Sequence, residues 1–116
     1  MEQFINYLEN SIEKANQKEA ELVASARKDE ANLQKIRANV YGICKTVYQV
    51  VAKSKNGAEL RNEYIGRMTV IPKSWEESYE KAKVHNDVAK ILIEETKLEV
   101  LHEVKAKFLE LCEKTK

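Results

Sequence analysis

From Ile5 to Val50 the apolar residues return every three and four positions without interruption for seven heptads. With Ile5 as position a, the a series reads Ile5, Ile12, Glu19, Ala26, Leu33, Val40 and Val47, and the d series Leu8, Ala15, Leu22, Asp29, Ile36, Ile43 and Val50. Twelve of these fourteen are apolar and none is Gly or Pro, the pattern of a coiled-coil helix that buries one long seam against a partner helix. The spacing therefore predicts a single helix from about residue 2 to 53. After Val40 the apolar face widens to take in Tyr41, Cys44, Tyr48 and Val51, so that half should meet more than one neighbour. Gly42 and the β-branched Val47, Val50 and Val51 are where a kink would fall. The polar seam positions, Glu19 and Asp29, set register or mark where the seam opens to water.

Lys53-Ser54-Lys55-Asn56-Gly57 closes this helix, with cations suited to a helix carboxyl end and Asn-Gly as a left-handed stop. Two turns of helix over residues 58–66, then an extended return through Met68-Thr69-Val70-Ile71 to Pro72, would make residues 54–73 a plug over one end of the bundle. Ser74-Trp75-Glu76-Glu77 fits a capping box, opening a second long helix over about 74–113. Its apolar residues lie on two faces, Val84, Val88, Ile91, Leu98 and Leu109 on one, Ile93, Val100, Val104 and Leu111 on the other. A helix covered on both sides needs two neighbours, and a lone hairpin offers one. The expectation is an all-α fold, an antiparallel hairpin of two long helices dimerising into a four-helix bundle.

Composition agrees with helix: of 116 residues, 43% are hydrophobic and 34% charged, with only three Gly and one Pro. No run approaches the ~20 apolar residues of a membrane span, and Met1-Glu2-Gln3 opens the chain without a cleavable apolar core, so a cytoplasmic protein is expected. Cys44 and Cys112 stand far apart, outside any Cys-x-x-Cys pair. Net charge is +1, which exerts no general pull on nucleic acid or anionic lipid. Residues 35–73 nevertheless hold eight basic and two acidic side chains.

Gly42, Gly57 and Gly66 are isolated, so no phosphate-cradling loop is present, and no Gly-x-Ser-x-Gly elbow occurs. One constellation could hold a metal. Glu99-x-x-His102 places both side chains on one helix face with Glu95, and the hairpin register would set Asp29 beside Leu98. A dimer would then gather Asp29, Glu99 and His102 twice, a set suited to iron, manganese or zinc. Against it, the motif occurs once, and these glutamates can pair with neighbouring lysines on their own helix. Lys53, Lys55, Arg61, Arg67 and Lys73 would gather at the closed end of the hairpin, where they could bind nucleic acid or another anionic partner; a solvated tip matched to the helix dipole explains them better, so nucleic acid is not the expected partner.

The function expected from sequence is thus a non-enzymatic, self-associating protein-protein interaction or scaffold module. The seam residues Leu22, Leu33, Ile36, Val40, Ile43 and Val47 of the first helix, with Ile91, Leu98, Leu101 and Phe108 of the second, would form the homodimer interface.

Overall fold

The computed structural model describes residues 2–114, all of them helix or short turn. Five helices follow in order: α1 (Glu2–Ala24), α2 (Lys28–Ala52), α3 (Gly57–Val70), α4 (Lys73–Val84) and α5 (Val88–Lys114). All-α is what the sequence predicts; the two long uninterrupted helices are not found. Each is divided by the same tight turn.

At Ser25-Ala26-Arg27 the seven-heptad helix folds back on itself. Ala26 adopts φ 60°, the Arg27 amide donates to the Leu22 carbonyl (2.8 Å) and the Ala26 amide to that of Val23 (3.0 Å). That pair of bonds is the Schellman closure of a helix. Around Asn86, at φ 54°, it recurs: Asp87 N to Ala82 O (2.9 Å) and Asn86 N to Lys83 O (3.2 Å). Asp87 then caps α5, its Oδ1 accepting from the Lys90 amide (3.2 Å). Arg27 makes no such cap for α2.

A left-handed conformation costs a residue with a Cβ about 1–2 kcal/mol, whereas Asn tolerates it and Gly adopts it freely. Ala26→Gly is therefore expected to raise stability by about 1 kcal/mol, read as a higher urea midpoint at unchanged slope; a destabilised A26G protein would show that this turn is not left-handed in solution.

The fold-back makes α1 antiparallel to α2, with Phe4 against Tyr48 (ring centroids 5.2 Å) and Glu9 against Lys45 (3.7 Å). It also explains the polar seam positions: Glu19 and Asp29 flank the turn, where the seam opens to water.

Across the molecule α5 runs parallel to α2, since Arg37 meets Glu99 and Tyr48 meets Phe108. The expected antiparallel register, with Asp29 beside Leu98, is thereby corrected. Residues 54–73 are not a terminal plug. Met68 and Ile71 stay helical because burial of Met68 outweighs the preference of a pre-proline residue for extended backbone. Ile71 (φ −51°, ψ −45°) and Pro72 (φ −76°, ψ −5°) keep the chain close to helical. Pro72, not Ser74, precedes the first turn of α4, so the predicted capping box is not formed. α3 and α4 together act as one interrupted helix antiparallel to α5: Tyr64 stacks near Phe108 (4.7 Å), Thr69 meets Lys105 (3.4 Å) and Trp75 meets Lys97 (5.8 Å). Four helix-length units thus pack within one chain.

The core sits where α1, α2, α3 and α5 converge. Phe4, Tyr48, Tyr64 and Phe108 meet edge to face or tilted, geometry worth about 0.5–1.5 kcal/mol per pair beyond area burial. Leu8, Val40, Cys44, Met68, Leu101 and Val104 surround them. The buried Tyr64 hydroxyl donates to the Cys44 carbonyl (3.0 Å), which keeps the ring in register. Bulk explains which face of α2 turns inward: Tyr41, Cys44, Tyr48 and Val51 are buried, whereas the seam residues Ile43 and Val50 are 41% and 47% exposed. On α5 the face through Val100, Val104 and Leu111 is buried, while Ile91 and Leu98 are half-buried and Val88 is exposed. Within the chain α5 has α1, α2, α3 and α4 as neighbours, more than the one a lone hairpin offers. With extents of 44 × 34 × 21 Å, the molecule is about two helix diameters thick, and apolar side chains remain on its broad surfaces.

Candidate interaction surface

The residues singled out from sequence separate into distinct places. Among the described residues no group of three or more His, Cys, Asp or Glu side chains could hold a metal ion. Asp29 is exposed in the first turn of α2, and Glu95, Glu99 and His102 are exposed on α5. Glu99 is instead engaged by Arg37 (3.2 Å). The five cations do not gather at one tip. Lys53 and Lys55 flank the α2–α3 turn, Arg61 and Arg67 lie along α3, and Lys73 opens α4; α3 puts about 20 Å between the ends of the set. Of the expected interface residues, Val40, Leu101 and Phe108 are core. Leu22, Leu33, Ile36, Val47, Ile91 and Leu98 are half-buried and Ile43 is exposed. Among the described residues no helix is long and apolar enough to cross a membrane.

Besides Val84 and Val88, exposed about the α4–α5 turn, α2 borders one polar and one apolar surface feature. The polar one is a groove of about 610 Å³ between α1, α2 and α5. In it Tyr7 and Tyr41 both donate to Glu103 Oε2, the latter at 2.8 Å. Arg37 donates to Glu99 (3.2 Å), to Glu103 Oε1 (3.4 Å) and to the Tyr41 hydroxyl (3.2 Å). Burial, reinforced by Glu103, raises both phenols, Tyr41 to about 12 and Tyr7 further. Burial works against the Arg37 charge, but Tyr41 and Glu99 outweigh it and the guanidinium is held more firmly protonated. All three side chains are therefore fixed as donors at neutral pH, aimed at carboxylates of the same chain. That arrangement is a latch tying α1 and α2 to α5. The Cys44 thiol is also buried, and burial pushes it up to about 12. This latch was not anticipated from sequence, because it depends on the parallel pairing of α2 with α5.

The apolar feature is the second half of the heptad seam. Of the seam residues on α2, Ile43 and Val50 are exposed and Leu33, Ile36 and Val47 half-buried; the ridge through Ile43 and Val50 is otherwise polar, with Asn39 and Thr46 along it, Lys35 one turn before and Lys53 just past the helix end. Here α3 approaches but does not cover it: Val47, Gly66, Val70 and Ile71 line a groove of about 460 Å³ with Glu63 and Arg67 at its side. Around the same Val47, Asn39, Gly42, Ile43 and Thr46 line a second depression. At Gly42 and Gly66 an added Cβ would meet nothing within 4 Å, so space over this face is open. Val70 is 61% exposed. α1 packs along α2 as far as Tyr48, and the part of the seam left uncovered is the exposed Ile43 and Val50.

No protein-family model, curated protein or solved structure matches the chain.

Proposed function

We propose that this protein is a non-enzymatic interaction module whose docking surface is the α2–α3 face around Ile43, Val47, Val50 and Val70. What carries the reading is that part of a helix-pairing seam, Ile43 and Val50, stays exposed beside an open groove. Contiguous exposed apolar surface on a soluble domain marks interaction sites. The polar groove supports the same class of function from the other side, since its donors are committed within the chain.

A photo-reactive amino acid at Thr46, on this face, is expected to yield a discrete adduct in the source cell, identified by mass spectrometry. The same probe at the exposed Gln17 of α1 should not yield it. Ile43→Asp should abolish the adduct while circular dichroism stays unchanged, because position 43 is a surface site where charge costs the fold little. An adduct common to both probes, or one surviving Ile43→Asp, would refute the assignment.

A further inference from the structure

Building on that docking face, we infer that its occupant is an acidic amphipathic helix. The face ends in cations, Lys35 at the amino-terminal end of its α2 ridge and Lys53 at the other, with Arg67 beside the groove and Lys73 just beyond Val70 and Ile71. Among the described residues Lys35, Lys53 and Lys73 make no ion pair, and the one acidic side chain lining the groove, Glu63, is taken by Arg67 (3.5 Å). Lys35 and Lys53 are thus available to a partner, whereas Arg67 is held by Glu63 and Lys73 shares a depression with Glu76, Glu77 and Glu80; the sign of the two lysines selects the partner.

Geometry selects the partner's secondary structure. The described chain has no strand, so no sheet edge is available for an extended peptide, and a groove between two helices receives a helix through apolar anchors at i, i+3, i+4 and i+7. From Lys35 to Lys53 the ridge is about 27 Å long, matching about 18 helical residues. A second copy of this chain fits poorly. A two-fold contact would set Lys35, Lys53 and Arg67 against the same cations of the copy, and like charges in juxtaposition oppose pairing.

The test uses three fluorescent peptides of about 18 residues: one amphipathic with Leu on one face and Glu elsewhere, its twin with Lys for Glu, and a Glu-rich peptide without the Leu face. Anisotropy with the whole protein should show the first binding about tenfold or more tighter than its twin at low salt, the gap narrowing as salt rises. Ile43→Asp should remove binding. The combined Lys35→Glu, Lys53→Glu and Arg67→Glu variant, all surface changes, should reverse the preference between the twins. Equal binding of both twins, still lost in Ile43→Asp, would overturn the acidic partner and leave the docking face standing. Equal binding of the peptide without Leu would overturn the inference in favour of a general anion site. Sedimentation as a dimer that Ile43→Asp dissociates would overturn it in favour of a second copy. Failure of the acidic amphipathic peptide to bind would overturn it outright, and the Thr46 adduct then decides separately whether the face itself is used.

Discussion

Replacing Phe108 with alanine is expected to cost about 4 kcal/mol of folding free energy. The ring is fully buried, and three aromatic rings stand around it: Phe4 at 5.1 Å, Tyr64 at 4.7 Å and Tyr48 at 6.2 Å between centroids. They belong to α1, α3 and α2, so the ring on α5 is where four helices meet. Removing it leaves a void that its neighbours are poorly able to fill. Tyr64 is tethered to the Cys44 carbonyl, and a flat ring cannot swell into the gap. A domain of this size commonly has about 5–15 kcal/mol of stability in total, so the variant should lose a large part of it. Urea unfolding followed by circular dichroism is the measurement, with Phe108→Leu as a milder comparison expected to lose roughly half as much. A loss below about 1.5 kcal/mol for F108A would mean that the four-helix junction is not the core.

The second large effect runs the other way. Glu94 is only 4% exposed, and of its two oxygens Oε1 accepts from Lys97 (3.2 Å) while Oε2 has no partner. Taking a carboxylate out of water costs several kcal/mol, which one ion pair does not return when half the group is unsatisfied. Glu94→Leu should therefore stabilise the fold by about 1–3 kcal/mol. Lys97 is not stranded by the change, because it keeps access to water and lies 5.8 Å from the face of Trp75. Glu94→Gln removes the charge but keeps unsatisfied polar atoms, and should gain less. The check is the shift in urea midpoint for both variants. Destabilisation by Glu94→Leu would show that Oε2 has a partner in solution and that the site has a use worth seeking.

Helicity was legible in the sequence because Gly and Pro are scarce and the apolar spacing is helical throughout; the places where helices end were less so. Ala26 hid the first turn: it satisfies the heptad as an apolar residue and gives no sign of a left-handed backbone. At Asn86-Asp87 a sign did exist, a residue tolerant of that conformation followed by a capping aspartate, but Val84 and Val88 on either side continue the apolar spacing and masked it. Pro72 misled in the opposite sense, since Met68 is buried strongly enough to keep the preceding backbone helical.

The seam itself was read correctly as a helix-pairing surface, but which of its residues would be buried was not. Packing bulky Tyr41 and Tyr48 inward rotates α2 so that Ile43 and Val50 face out. Ile43, named from sequence as an interface residue, lies on the face proposed here for docking. Glu63, Arg67 and Val70 could be placed beside Val47 only once α3 was laid against α2.

The meeting of Phe4 with Phe108 also has a consequence during synthesis. The α1–α2 hairpin is local and can close as soon as its residues leave the ribosome, but the pocket for its aromatic side chains stays open until α5 arrives. The 44 residues from Tyr64 to Phe108 take about 2–9 s to translate at ordinary rates. Throughout that interval Phe4, Tyr48 and Tyr64 have no ring from the last helix to close over them. While that pocket stays open, its aromatic rings are a target for a chaperone that grips aromatic surface.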